Sequence, residues 1–424
     1  MFALEARFDM GALSVVPSSD RLSLPSHTAL AHSLLALTSA GTILYTHSAG
    51  TTISKTSQPI PFTPQTLCRI ASCTKLPTTI AALQCVEAGL LSLDTDITLT
   101  TLPELGSAHI LTGRAPSPSD PTPPQTTPNT APITLRHLLT HSSGIAYEFT
   151  HPALGAWRAW SLSHDPAGKS KLQSPDPAEA YAVPLVFAPG SGWVYGYGVD
   201  WAGIAVSRAS GQSLESYFQT RIFAPLGMTQ TSFYPARIPD SDGRLASMAI
   251  RKSDGRLVRG FNGPSVIPPG VKEGGGGGLT SCAADYIKLL VAVLRNDGTL
   301  LKPETMREMF APQLGGAGRA AMRSILLRPE SFGLAGSLAR EGVVVDYGLG
   351  GLVNLDPIGS AGRESGGMQW GGYPNLFWWI SPADGVCGCY FSQLIPPGDE
   401  LSFGLNAQFE KAVMQSFGKV RAKL

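Results

Sequence analysis

The stretch Thr66-Leu-Cys-Arg-Ile-Ala-Ser72-Cys-Thr-Lys75 runs through Leu76 and Pro77 into Thr78-Thr-Ile-Ala-Ala-Leu-Gln-Cys-Val-Glu-Ala-Gly89. Apolar Ile80, Leu83, Val86 and Leu90 recur at spacings of three and four, which predicts a helix from about Ser72, and Gly89 sits where a C-terminal cap would. Side chains three apart share one helix face, so Ser72 and Lys75 come within reach of each other. A serine hydroxyl is a weak nucleophile until a base takes its proton. Lysine can do this only as a neutral amine, a form favoured by burial and by the positive potential of a helix N-terminus. The four-residue pattern alone does not decide the matter, because Ser416-Phe-Gly-Lys419 also satisfies it in the terminal tail. Pro77, two residues after Lys75, is expected to remove a helix hydrogen bond and kink the first turns.

Around this segment the pattern alternates between strands and helices. The first 66 residues read as a short helical start followed by strands, with Leu34 to Leu37 and Ile43 to Tyr45 flanking an Ala40-Gly41 hairpin turn. Seven prolines between Ala115 and Pro132 mark an extended surface insertion. Helical signals return at Thr134 to Leu139 and at Asp200 to Phe218. After the glycine run Gly274 to Gly278, Ser281 is expected to cap a helix reaching about Asn296. Strands follow at Leu349 to Leu355, Leu376 to Ile380 and Val386 to Leu394, with an Asp384-Gly385 turn, and helical spacing resumes from Phe403 to Val420. Strands at both ends with helices between predict an α+β fold whose two termini build one sheet.

Composition narrows the function. The chain has 424 residues, with 32 Lys+Arg against 31 Asp+Glu, and this near-neutral balance gives no broad footprint for nucleic acid or an anionic membrane. A hydrophobic share of 43% excludes whole-chain disorder. No apolar run reaches the roughly 18–20 residues of a membrane span. Glu5, Arg7 and Asp9 stand where a signal peptide needs an apolar core, so a cytoplasmic location is expected. The six cysteines are scattered and read as free thiols. The chain has no Gly-x-Ser-x-Gly elbow and no His-Glu-x-x-His or Cys/His cluster, and its glycines form neither a dinucleotide fingerprint nor a phosphate loop. No metal and no cofactor are expected, and the glycines, the pentaglycine included, read as turns.

Taken together, the Ser72–Lys75 segment, His137-Leu-Leu-Thr-His141-Ser-Ser-Gly144, Trp193-Val-Tyr195-Gly-Tyr-Gly-Val-Asp200, Gly274 to Leu279 with Ser281 and Asp285, and Trp370-Gly-Gly372-Tyr-Pro-Asn375 fall in an order that resembles the serine β-lactamase and penicillin-binding superfamily. The resemblance spans about residues 30 to 410 and is nearest to the esterase-type branch that includes the fungal statin acyltransferases. It implies a β-lactamase-like fold in one catalytic domain over 1–424. An α/β lobe of about 1–75 and 285–424 would face a mostly helical lobe of about 76–284 that carries the 115–132 insertion, with the active site between them.

The same resemblance implies roles. Ser72 would be the nucleophile and Lys75 its base. Tyr195, five residues before Asp200, would be the second proton-transfer group, with Tyr197 a competitor that otherwise lines the cleft. Backbone N–H groups of Ser72 and Tyr373 would form the oxyanion hole, with Trp370 to Gly372 on an edge strand. Penicillin-recognising enzymes carry a lysine where Trp370 stands, and its loss argues for neutral acyl esters or thioesters. Tyr147 matches a position lining the acyl pocket, so Tyr147, Tyr197, Trp370, Gly371 and Gly372 are the expected substrate contacts. His141 is expected to be structural, and Ile395-Pro-Pro-Gly398 lacks the aromatic that the statin acyltransferases would carry. Three readings stay open. The first is an acyltransferase moving an acyl group from a thioester donor, on a carrier protein or coenzyme A, to a hydroxyl of a small secondary metabolite. The others are a carboxylesterase with the same machinery and a binding protein on an inactive fold.

Overall fold

Two strands near the start of the chain and five near its end close into one sheet. The computed structural model describes residues 31–113, 120–260, 270–328, 338 and 341–421. The helical start expected before residue 31, and residues 114–119 of the proline-rich stretch, lie outside the described residues. The strands are β1 (His32–Thr38), β2 (Ile43–Ala49), β3 (Val345–Tyr347), β4 (Leu352–Asn354), β5 (Met368–Gly372), β6 (Leu376–Ser381) and β7 (Val386–Ser392). Among the described residues they form an antiparallel sheet in the order β3-β4-β5-β6-β7-β1-β2. The expected hairpins at Gly41 and Gly385 are both present, each glycine with positive φ. The α+β architecture read from the sequence is the one observed.

The sheet is covered on both faces, which is why its central strands read as nearly continuous apolar runs. Alternate residues separate the two cores. Leu34, Ala36, Phe377, Trp379 and Tyr390 pack against Leu405, Phe409 and Val413 of the C-terminal helix Glu400–Arg421. Leu35, Leu37, Trp378, Ile380, Cys387 and Cys389 join the main core on the other face, where the helix Ala283–Arg295 packs on β1, β6 and β7. All six cysteines are buried and unpaired. No helix among the described residues is long and apolar enough to cross a membrane.

Four local readings are corrected. The helix predicted from Ser72 is a 3-10 turn over Ala71–Thr74 that becomes α-helical only at Lys75, forming α1 (Lys75–Glu87). Pro77 therefore lies in the first α-helical turn, where its missing N–H has no intrahelical acceptor to lose, and the change of helix type takes the place of the kink. Ser281 does not cap the following helix. It lies in a two-residue strand paired with Cys68–Arg69, its hydroxyl bonds Thr231, and Cys282 occupies the cap position. The helical signal from Asp200 to Phe218 divides at Gly211 into Gly198–Ser210 and Leu214–Phe218. Finally, β5 is an interior strand, but its pairing with β4 stops at Gln369, so Trp370 to Gly372 run free along that side.

Phe409 is fully buried against Tyr45 and Trp379, with ring centroids 5.5 and 6.2 Å away. Phe409→Ala is expected to lower unfolding free energy by about 3–5 kcal/mol. Because the helix lies on the sheet face opposite the main core, the folded fraction should keep its reactivity at Ser72, as measured by denaturant unfolding alongside active-site labelling.

Candidate active site

Ser72 sits in the 3-10 turn between a short strand and a buried helix. The turn is held from several sides: Ile70 N–H donates to Leu279 C=O at 3.0 Å, and the Tyr286 hydroxyl donates to Cys73 C=O at 2.9 Å. Ala71 has φ +43, a left-handed conformation costing a non-glycine residue about 1–2 kcal/mol, so the serine is presented on a strained, over-determined turn. The free stretch of β5 packs against this turn, with Gly372 close to the Ile70 carbonyl and Cys73 Sγ on either side of Ala71 and Ser72.

Two side chains meet at the serine. Lys75 Nζ lies 3.3 Å from Ser72 Oγ, and the Tyr195 hydroxyl donates to the same oxygen at 2.6 Å. Tyr195 comes from a loop that crosses the turn after a short helix, Leu135–Leu139. Tyr147 N–H and the Thr150 hydroxyl both bond the Tyr195 carbonyl. Gly196 permits the crossing, since a Cβ there would lie 2.0 Å from the Ile145 carbonyl oxygen.

Lys75 has no solvent exposure. Its amine reaches Tyr147 Oη at 2.9 Å and Gly276 C=O at 2.8 Å, and lies 4.7 Å from the centre of the Tyr195 ring. Asp200, also buried, closes the network. Its Oδ2 accepts the Tyr147 hydroxyl at 2.8 Å and its Oδ1 accepts Gly276 N–H at 2.9 Å. Burial pushes the Asp200 carboxyl above its ordinary value, against the opposing pull of Lys75, the Tyr147 hydroxyl and Gly276 N–H. Burial, with Asp200 next in weight, holds Tyr147 far above the usual phenol range and therefore as a neutral hydroxyl.

The structure thus brings Ser72, Lys75 and Tyr195 together and moves three expected substrate contacts behind them. Tyr197 is 3% exposed, donates to Glu148 at 2.9 Å, stacks on Tyr181 and packs edge-on against Tyr147. Tyr147, expected in the acyl pocket, is 1% exposed and spends its hydroxyl on Lys75 and Asp200. Trp370 is covered by Tyr195 and Tyr347, whose ring centroids lie 5.2 and 5.3 Å away, so its indole holds Tyr195 in place. Gly371, Gly372 and Tyr373 remain partly exposed. His141 packs edge-on against Tyr195 at 4.8 Å and accepts Gly196 N–H at Nδ1. Sequence reasoning missed the contribution of Gly276, whose glycine-only run was the available signal: a Cβ there would lie 2.2 Å from Asp200 Oδ2 and 2.6 Å from Tyr147 Oη. Among the described residues, no three His, Cys, Asp or Glu side chains are grouped as metal ligands.

Two outcomes follow from this packing. Gly276→Ala is expected to destabilise the protein by about 1–3 kcal/mol through overpacking and to slow labelling of Ser72, because either Asp200 or the glycine segment must shift. His141 is held well below its ordinary 6.5, first by burial and then by Lys75. The folded chain therefore leaves this ring neutral where the unfolded chain would protonate it, so its contribution is full above about pH 6.5 and is lost as pH falls. Going from about pH 7 to about pH 5.5 should cost about 1 kcal/mol at this site. Urea unfolding should show that part of the loss removed in His141→Asn, a residue that tolerates the observed φ of +58.

Comparison with known proteins shows the family and the fold. The Beta-lactamase family model matches residues 30–405. A lovastatin esterase of Penicillium rubens is 39% identical over 82% of this chain and 85% of its own length. A monacolin J acid methylbutanoyltransferase of Aspergillus terreus is 37% identical over 84% of each chain. The unliganded structure of simvastatin synthase from Aspergillus terreus superposes with a TM-score of 0.80 at 34% identity, covering 93% of this chain and 95% of that one. With the match running from the first strand of the sheet into the C-terminal helix, the chain belongs to the Beta-lactamase family.

Proposed function

We propose that this protein is a serine acyltransferase acting through an acyl-enzyme on Ser72. The observation that carries the reading is the convergence of Lys75 Nζ, at 3.3 Å, and the Tyr195 hydroxyl, at 2.6 Å, on one serine oxygen beside a free strand edge. Ser72 Oγ–H gives its proton to Lys75 Nζ as Oγ bonds to the acyl carbon, and the carbonyl electron pair moves onto oxygen. Ser72 and Tyr373 N–H groups receive that oxyanion, the role we assign them from the position of β5. The carbonyl re-forms as the donor's thiolate or alkoxide departs, taking the Tyr195 proton, which Lys75 replaces. An acceptor hydroxyl then runs the sequence backwards, losing its proton through Tyr195 and Lys75 while Ser72 leaves with one.

A single catalytic unit suits this chemistry, with an α/β lobe from both chain ends and a helical lobe from the middle of the chain. The favoured donor is an acyl thioester on a carrier protein or coenzyme A, and the favoured acceptor is a hydroxyl of a small secondary metabolite. The naming of one relative as a monacolin J acid methylbutanoyltransferase supports this choice. The absence of a cation at position 370 suits a neutral acyl group. A carboxylesterase is the second reading, favoured by the relative named as a lovastatin esterase. It shares the first half-reaction and differs in taking water as acceptor.

Intact mass after exposure to an activated acyl ester should show one added acyl group in the wild type and none in Ser72→Ala. Lys75→Ala and Tyr195→Phe should each slow acylation by about 10²–10⁴-fold. An adduct that persists in Ser72→Ala would overturn the mechanism. Partition of the acyl-enzyme between water and added alcohols separates the two readings: hydrolysis undiminished by every candidate acceptor would make the protein an esterase.

A further inference from the structure

We infer that Asp200 is a positioning residue that fixes the direction of proton transfer, leaving Ser72 as the one group able to donate to a neutral Lys75. This rests on the reading of Ser72 as nucleophile and Lys75 as its base. Among the described residues, Lys75 Nζ has three hydrogen-bonding neighbours: Ser72 Oγ, Tyr147 Oη and the Gly276 carbonyl. A carbonyl can only accept. Tyr147 has one hydroxyl proton, committed to Asp200 Oδ2, so toward Lys75 it too can only accept. A neutral amine has two N–H groups and one lone pair. Both N–H groups are taken by these obligate acceptors, and the lone pair is left facing the serine hydroxyl.

The same carboxylate governs both acceptors. Oδ2 orients the Tyr147 proton away from Lys75, and Oδ1 holds the Gly276 N–H, fixing the residue whose carbonyl is the second acceptor. When Lys75 gains the serine proton, its three N–H groups meet three acceptors without any heavy atom having to move. Before attack, Ser72 Oγ accepts the Tyr195 hydroxyl, so the serine's own proton is free to point at Lys75. Gly276 is part of the device, because any side chain there would enter the space between Asp200 and Tyr147.

Replacing the carboxylate by an amide reverses this direction. In Asp200→Asn, Gly276 N–H still requires an acceptor and keeps the amide oxygen, which turns the amide N–H₂ toward Tyr147. The Tyr147 hydroxyl then accepts from the amide and donates its own proton to Lys75, occupying the lone pair that Ser72 needs. Removing that competing hydroxyl as well frees the lone pair again. The inference therefore predicts an uncommon pattern, in which a second substitution in the same network restores activity.

The experiment measures single-turnover acylation of the full chain by p-nitrophenyl butanoate in wild type, Tyr147→Phe, Asp200→Asn and the double variant, with thermal unfolding of each. Asp200→Asn should lose about 100-fold or more, and Tyr147→Phe about tenfold. The double variant should recover at least about tenfold over Asp200→Asn alone. A double variant as slow as, or slower than, Asp200→Asn overturns the inference, since a merely structural carboxylate predicts losses that accumulate. If Asp200→Asn does not fold, Tyr147→Phe decides alone: a loss below about 100-fold supports an accepting role, and a larger one makes Tyr147 itself a proton donor and overturns the inference. Failure of the wild type to label at Ser72 would instead remove the nucleophile reading, which the same mass measurement detects separately.

Discussion

A lysine side chain with no contact to solvent must find inside the protein every partner that water would have supplied, and leaving one unmade costs several kcal/mol. Lys75 finds them in the Tyr147 hydroxyl and the Gly276 carbonyl, 72 and 201 residues away along the chain, while Asp200 accepts the Tyr147 hydroxyl and the Gly276 N–H. Four segments are thereby tied to one amine: α1, the turn around Tyr147, the helix Gly198–Ser210 and the glycine run. The close approach of these segments is what excludes side chains from Gly276. Under the proposed mechanism, it is this complete network that readies the serine for attack.

The sheet supplies the other half of the site. Because β1 pairs with β7, the beginning and end of the chain are locked together, and β5 is carried alongside the turn that bears Ser72. The short pairing of β4 leaves the Trp370 to Gly372 backbone free on one side, the edge to which the proposed mechanism assigns the acyl oxygen. Trp370 and His141 then brace the Tyr195 ring from different sides, fixing its hydroxyl 2.6 Å from the serine. Rigid aromatic packing suits this task, since an error of about 1 Å at the reacting atoms can cost about 100-fold in rate.

Much of this was legible from residue order. Short apolar runs at Leu34 to Leu37 and Leu376 to Ile380 marked strands, and turns at Gly41 and Gly385 marked hairpins, because these signals are local. The spacing of Ser72 and Lys75 foretold their contact through the geometry of one helical turn. The packing of Tyr197 and Trp370 was not legible because an aromatic residue in a glycine-rich segment looks the same whether it lines a cleft or packs behind one. Their burial depends on Tyr181, Tyr195 and Tyr347, which arrive from elsewhere in the chain. Ser281 was misread as a cap because strand pairing with Cys68–Arg69, a long-range event, overrode a local preference.

By itself, the sequence determined the α+β plan, the order of the motifs and the pairing of Ser72 with Lys75, since each depends on period or spacing within a few residues. Only the tertiary structure decided that Asp200 faces Lys75 through Tyr147 and Gly276, and that the glycine run is a close-packed wall of the site as well as a turn. The physical reason is that hydrogen-bond direction and steric exclusion are properties of atoms in contact, and these atoms become neighbours only when the chain closes on itself.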